Sequence, residues 1–185
     1  MPYIFVMHRL FVAVRPPPDI RARLLAIMSG VNGARWQDDD QLHITLRFIG
    51  EVDRHRANEL ADALRDIRFP PAELALSGVG SFNRKGQVHT LWAGIQPREP
   101  LVKLHQKIDR ICVRAGLLPD DRAYLPHLTL ARMSRSAGSA ENFMASHAAL
   151  SSVPFAMTEF DLYESHLGQS GAAYHLIERY PANYR

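Results

Sequence analysis

The chain is poor in cysteine, in lysine and in long apolar runs. Cys112 is the one cysteine among 185 residues, which excludes an intramolecular disulfide and a cysteine-built metal site and suits a reducing compartment, the cytoplasm. No apolar run approaches the ~18–20 residues of a membrane-spanning helix. The N-terminal stretch Met1–Val14 is apolar but broken by His8-Arg9. It lacks the basic segment followed by a long apolar segment that marks a signal peptide. Met7 is an alternative start, and residues 1–8 read as a disordered extension before the domain. Lysine occurs only at Lys85, Lys103 and Lys107, so nearly all of the 22 basic residues are arginine. Arginine forks onto phosphate better than lysine does. A net charge of +3 and a pI near 9.2 favour an anionic partner but are too small for wrapping long duplexes.

What is present is an ordinary globular composition, 46% apolar and 22% charged, long enough for one compact domain or two small lobes. Periodicity and turn residues predict strands at 10–14, 42–48, 74–82, 88–95, 125–132, 155–164 and 173–180, with a short extended piece at 34–36. Helices are predicted at 20–28, at 53–68 with Asp53 as N-cap, at 100–115 with Leu101, Leu104, Ile108, Ile111 and Cys112 inward, and weakly at 141–150. Gly78 and Gly80 mark a bulged or tightly packed strand. Asn83-Arg84-Lys85-Gly86 marks a hairpin turn. A further loop runs through Gly168 and Gly171. No low-complexity linker divides the chain.

One pattern occurs twice. His43-Ile44-Thr45-Leu46 returns as His127-Leu128-Thr129-Leu130. Residues two apart on a strand share a face. Each copy therefore presents an imidazole beside a hydroxyl, and sends Ile44, Leu46, Leu128 and Leu130 into a core. Two such strands facing one another would place two imidazoles and two hydroxyls around a small cleft. One imidazole can accept a proton while the other donates one, and hydroxyls and arginines can hold a phosphate between them. Phosphodiester cleavage fits that set, because in-line displacement needs proton transfers on opposite faces of phosphorus. A zinc site is poorly served by two histidines with no third ligand at a matching spacing. No cofactor is expected.

The paired H-x-T-L motif resembles the signature of the 2H phosphoesterase superfamily. The flanking stretches Arg9–Val14, Ala34-Arg35-Trp36, Leu42–Gly50, Leu91–Gly94, Pro126–Arg132 and Tyr163-Glu164-Ser165 are similar to its bacterial RNA 2',3'-cyclic phosphodiesterase branch, also called 2'-5' RNA ligases. The resemblance runs in order from about Arg9 onward. It implies an α+β, bilobed, pseudo-twofold fold with two antiparallel sheets flanking a central cleft and helices on the outer faces, a single domain of two interleaved lobes over 1–185. It also implies metal-independent hydrolysis of an RNA 2',3'-cyclic phosphate to a 2'-phosphomonoester, with reversible 2'-5' ligation as a second activity. The expected partner is an RNA or oligonucleotide with a cyclic phosphate end; no membrane or obligate protein partner is expected, and the chain is expected to be a monomer.

By that resemblance His127 is the general base and His43 the general acid; the near-symmetric sequence does not fix which is which. Thr45 and Thr129 would donate to phosphate oxygens. Arg132 would contact phosphate or stack on a base, and Phe48 would stack on the terminal nucleobase. Arg47 shares strand parity with His43 and Thr45 and so is expected at the cleft mouth. Trp36 and Trp92 read as core; Tyr163 and Glu164 are placed near the cleft. Two alternatives stay open. ATP-independent 2'-5' ligation is one; ATP-driven ligation is disfavoured by the lack of a Gly-rich phosphate loop or nucleotide-binding lysine motif. The other is a non-catalytic module that binds RNA ends, against which the intact His and Thr of both copies argue.

Overall fold

The computed structural model describes residues 7–168 and 171–183. Its strands are β1 (Met7–Val14), β2 (Ala34–Trp36), β3 (Ile44–Asp53), β4 (Ala72–Arg84), β5 (Gln87–Gln96), β6 (His127–Met133), β7 (Phe155–Met157), β8 (Glu159–Gly168) and β9 (Gly171–Pro181). The helices are α1 (Pro18–Ile27), α2 (Arg54–Leu64), α3 (Glu99–Arg114) and α4 (Glu141–Ser146). No helix among the described residues is long and apolar enough to cross a membrane.

The strands are ordered β7-β4-β5-β6-β3-β1-β8-β9, with β2 paired to β6. Pairing is antiparallel throughout. Two halves meet where β3 touches β6, at the single residue pair Ile44–Leu128. These are the middle residues of the two H-x-T-L motifs. Beyond that pair the strands diverge: β3 continues along β1, and β6 continues along β5 and β2. The expected antiparallel halves with helices outside are therefore present, joined at the motifs themselves.

The join is held by burial. Ile44, Leu128 and Leu130 are fully buried and Leu46 is nearly so, in one apolar cluster with Leu10, Val12 and Val14 of β1. α3 closes this core over β3 with Leu101, Leu104, Ile108 and Cys112 inward, an apolar stripe at helical spacing. Burial pushes the Cys112 thiol up to about 11, so it is a packing group. α2 begins as expected, the Asp53 carboxylate accepting from the Arg56 N–H.

Three expectations need correction. Met7 and His8 belong to β1, and His8 Nδ1 lies 2.7 Å from a Glu164 oxygen; the rest of the expected extension, and residues 169–170 of the predicted loop, lie outside the described residues. α2 stops at Leu64 rather than 68, because the N–H groups of Arg65, Asp66 and Ile67 turn back to the carbonyls three residues earlier, ahead of Pro70-Pro71. The predicted strand 155–164 divides at Thr158. Phe155–Met157 pairs with β4 in one half, whereas Glu159 onward pairs with β9 and then β1 in the other.

Candidate active site

The site begins with the antiparallel contact of the two motifs. With Ile44 opposite Leu128, strand direction sets Thr45 toward His127 and His43 toward Thr129. Each imidazole is oriented in the same way. His43 Nδ1–H donates to the Gln41 carbonyl at 2.7 Å, and His127 Nδ1–H donates to the Leu125 carbonyl at 2.7 Å. A carbonyl can only accept, so both rings carry hydrogen on Nδ1 and offer Nε2 to the site. The Gln41 carbonyl is itself placed by a 3-10 turn over Asp39–Gln41. There the Asp38 carboxylate accepts from the Gln41 N–H and the Gln41 side chain accepts from the Asp38 N–H, while Gln41 Nε2 also donates to the Ala172 carbonyl of β9.

The residues just beyond each motif are oriented by a β-bulge that simple alternation does not reveal. Along β3, Thr45 pairs with Ala13 and Arg47 with Val12, leaving Leu46 as the extra residue. Along β6, Thr129 pairs with Trp92 and Ala131 with Leu91, leaving Leu130 as the extra one. Both bulges fall on the fourth residue of the motif. Each reverses the parity of the chain beyond it. Arg47 and Ala131 therefore turn into the core, and Phe48 and Arg132 come round to the face that carries the histidines. The burial sequence from His43 to Phe48 repeats, position for position, from His127 to Arg132.

Arg47 is accordingly not at the cleft mouth as a free cation. It is 8% exposed, and its guanidinium is committed to the Asp109 carboxylate at 2.8 Å, the Phe48 carbonyl at 2.8 Å and the Leu118 carbonyl at 2.6 Å. Phe48 is 41% exposed on the site face, with the Arg9 guanidinium 5.1 Å from its ring centre. Arg132 is exposed, and it donates to the Thr90 hydroxyl at 3.1 Å.

Each imidazole packs against two aromatic rings of its own half. His43 lies 4.9 Å from Phe11 and 5.2 Å from Tyr174, and Phe11 stacks in turn on Tyr163. His127 lies 4.9 Å from Phe82 and 6.1 Å from Trp92. Trp92 thus departs from the core role expected of it, whereas Trp36 packs against Phe143 as a core ring does. Of the two residues placed near the cleft, Tyr163 is there, its hydroxyl donating to Asp161, while Glu164 faces His8 and His166.

Burial sets the electrostatics. Desolvation, reinforced by the charges of His127, Arg132 and Arg15, holds His43 down at about 4 against the opposing bond to Gln41. Burial and Arg132 also depress His127 below the ordinary histidine range, against its bond to Leu125. Both rings are therefore neutral near pH 7. Among the described residues no three His, Cys, Asp or Glu side chains converge as a metal-binding group.

Several site residues escaped the reading of the sequence. Around the bulge at Leu46, just past the point where β3 leaves β6, two backbone carbonyls are taken by side chains. His105 of α3 donates Nδ1–H to the Leu46 carbonyl at 2.7 Å, and Tyr124 donates to the Thr45 carbonyl at 2.9 Å. Their rings stack 4.2 Å apart. The signal for His105 was available, since it sits on the inward stripe of α3 one position after Leu104. Tyr124 also lines a cavity of about 420 Å³ with Thr45, Phe48, Phe82, His89 and His127, and Arg47 borders the same cavity with its guanidinium held by Asp109.

The ring of Trp92 lies over Gly80, where a Cβ would meet it at 2.1 Å. Gly80→Ala is expected to displace the ring beside His127, costing about 1–3 kcal/mol of stability from overpacking and lowering turnover along with it. Urea unfolding and kcat measured on one preparation check this; a variant unchanged in both contradicts the packing.

The sequence profile of the 2'-5' RNA ligase superfamily matches residues 8–169. The chain belongs to this superfamily. The chain is similar to an RNA 2',3'-cyclic phosphodiesterase of Archaeoglobus fulgidus, 28% identical over 169 residues that span 90% of this chain and 96% of that protein. Another, the RNA 2',3'-cyclic phosphodiesterase of Escherichia coli K12, is 29% identical over 182 residues, spanning 94% and 96%. The crystal structure of E. coli LigT complexed with 3'-AMP superposes with a TM-score of 0.82 at 27% identity, covering 97% of this chain and 100% of that one. The superfamily's fold is thus the fold described above.

Proposed function

We propose that the protein hydrolyses RNA 2',3'-cyclic phosphodiester ends to 2'-phosphomonoesters by metal-independent catalysis between two histidines. The observation that carries this reading is the matched pair of imidazoles. Each is fixed through Nδ1 to a carbonyl two residues back, each is followed by a threonine on its own face, and the two meet across the Ile44–Leu128 pair. The names of the relatives support the same substrate class.

In this reaction the cyclic phosphate sits between the rings, with Thr45, Thr129 and Arg132 donating to its non-bridging oxygens. The terminal base stacks on Phe48 in the adjoining cavity. His127 Nε2 takes a proton from water, and the water oxygen bonds to phosphorus. The P–O3' bond breaks, and His43 gives the Nε2 proton to O3'. The products are a 2'-phosphomonoester and a 3'-hydroxyl, and the two imidazoles have exchanged charge. The single domain acts as a monomer in the reducing cytoplasm, with no membrane or protein partner.

Incubating the protein with an oligoribonucleotide bearing a 2',3'-cyclic phosphate, in EDTA, tests the proposal. A 2'-phosphate product supports it. Binding without turnover supports a module that only holds RNA ends, joined oligonucleotides support 2'-5' ligation, and loss of turnover in EDTA contradicts the metal-free mechanism.

The two depressed histidines impose a pH dependence. The reactive form needs His43 protonated and His127 neutral. kcat/KM reports the free protein, in which burial holds His43 at about 4 and His127 below its ordinary value. A bell with its maximum on the acid side of about pH 6.5 is expected. The bound phosphate anion favours the charged imidazole, so the profile of kcat is displaced to higher pH. Profiles of both constants check this; coincident profiles with a maximum well above neutrality contradict it.

A further inference from the structure

Beyond the four motif residues, one row of the site face carries two arginines side by side. β2 pairs with β6 so that Arg35 lies directly opposite Arg132. Directly opposed residues of an antiparallel pair share a face, so Arg35 points to the side that carries His127, Thr129 and Arg132. The row continues through Thr90 of β5 to Phe82 of β4. Like charges in such positions repel, yet neither arginine has a carboxylate within ion-pair distance among the described residues. Arg132 bonds only the neutral Thr90 hydroxyl. Some arginines elsewhere are ion-paired: Arg15 and Arg21 share Asp39, and Arg47 takes Asp109. The charges of Arg132, Arg35 and Arg9, opposed by that of Asp38, all reach the hydroxyl of Tyr174, whose ring centre lies 5.2 Å from that of His43, and Arg9 Nε is buried without a partner among the described residues. An exposed pair of like charges, aimed at a site and left unneutralised, is a receptor for an anion.

One phosphate is already placed, at the histidines and Arg132. Adjacent strands lie about 5 Å apart, which is of the order of the step between neighbouring phosphates on a single strand. We infer that Arg35 binds the phosphate on the 5' side of the terminal nucleotide, so that the site takes a polynucleotide end in preference to an isolated cyclic nucleotide. This rests on the cyclic phosphodiesterase reading and adds to it a residue that selects chain over monomer.

The test compares kcat/KM of the full-length protein on three substrates. These are a nucleoside 2',3'-cyclic phosphate with a free 5'-hydroxyl, the same compound with a 5'-phosphate, and a dinucleotide with a cyclic phosphate end. In the wild type the added phosphate is expected to raise kcat/KM about tenfold, the worth of one charge-assisted contact. A gain with both phosphorylated substrates identifies the phosphate group itself as the ligand, and a gain with the dinucleotide alone identifies the chain diester. In Arg35→Ala that gain disappears and the three substrates share one value; Arg35→Lys keeps part of it. The salt dependence of kcat/KM on the dinucleotide also falls, its slope by about one phosphate contact. A gain that survives in Arg35→Ala, or a variant equally slowed on all three substrates, overturns the inference. Turnover of all three by the wild type with no gain overturns it while leaving the cyclic phosphodiesterase reading intact. No turnover of any of them overturns that reading instead.

Discussion

Alanine at His127 or at His43 is expected to lower kcat on a cyclic-phosphate oligoribonucleotide by about 10²–10⁴-fold, the usual worth of a general acid or base. The fold is expected to survive either change. Each imidazole lies half-buried on the site face and, among the described residues, bonds only a carbonyl two residues back in the segment that leads into its strand, so truncation opens the site and leaves the core beneath Ile44 and Leu128 in place. Thermal unfolding followed by circular dichroism, together with steady-state kinetics, separates loss of chemistry from loss of structure. A folded His43→Ala protein that keeps most of its activity would remove that histidine from the mechanism.

The two arginines that lie just past the motifs are expected to fail in opposite ways. Arg132→Ala should lower kcat/KM by about 10²-fold, in line with removing a charged donor from a developing negative centre, and leave stability nearly unchanged. Arg132 is exposed, and among the described residues its one bond is to the Thr90 hydroxyl. Arg47→Ala should cost about 3–5 kcal/mol of stability, the usual result of breaking a buried ion pair. It strips Asp109 of its cation and frees the Phe48 and Leu118 carbonyls. The Asp109 carboxylate also accepts from the Asp120 N–H, so the loop that leads to Tyr124 loosens as well. Denaturant midpoints and kinetic constants for both variants decide the matter. An Arg47→Ala protein with wild-type stability and lost substrate affinity would mean that Arg47 faces the substrate after all.

That contrast also marks how far the sequence could be read. The repeated motif, its parity and its core-facing partners were all legible, because period-2 alternation over four residues is a direct consequence of strand geometry. Continuing the alternation one step further misplaced Arg47. A bulge inserts one residue and turns everything beyond it over, and neither Leu46 nor Leu130 announces itself, since leucine is an ordinary strand residue. The same bulges bring Phe48 and Arg132 onto the site face, so the two residues that make the halves chemically unlike occupy equivalent places. Helix α3 was placed closely, yet His105 passed unnoticed because an imidazole on an apolar stripe reads as an interruption. Its partner, the Leu46 carbonyl, belongs to the bulged residue, which alternation alone does not single out. Trp92 was taken for core because tryptophan usually is. The sign of its true position was glycine at Gly80, on the paired strand, where the ring needs bare backbone beneath it.

Under the proposed mechanism a near-symmetric frame carries an asymmetric reaction, with His43 as acid and His127 as base. That asymmetry is tested most directly by a substrate whose leaving group needs no acid. In a 2',3'-cyclic phosphorothiolate with sulfur at the 3' bridging position, the departing thiolate is stable without a proton. The measurement is kcat/KM of His43→Ala and His127→Ala on this substrate and on its oxygen counterpart. His43→Ala, nearly inactive on the oxygen substrate, is expected to approach the wild type on the sulfur one, while His127→Ala stays slow on both. Rescue of His127→Ala in place of His43→Ala, or of neither, would contradict the assignment.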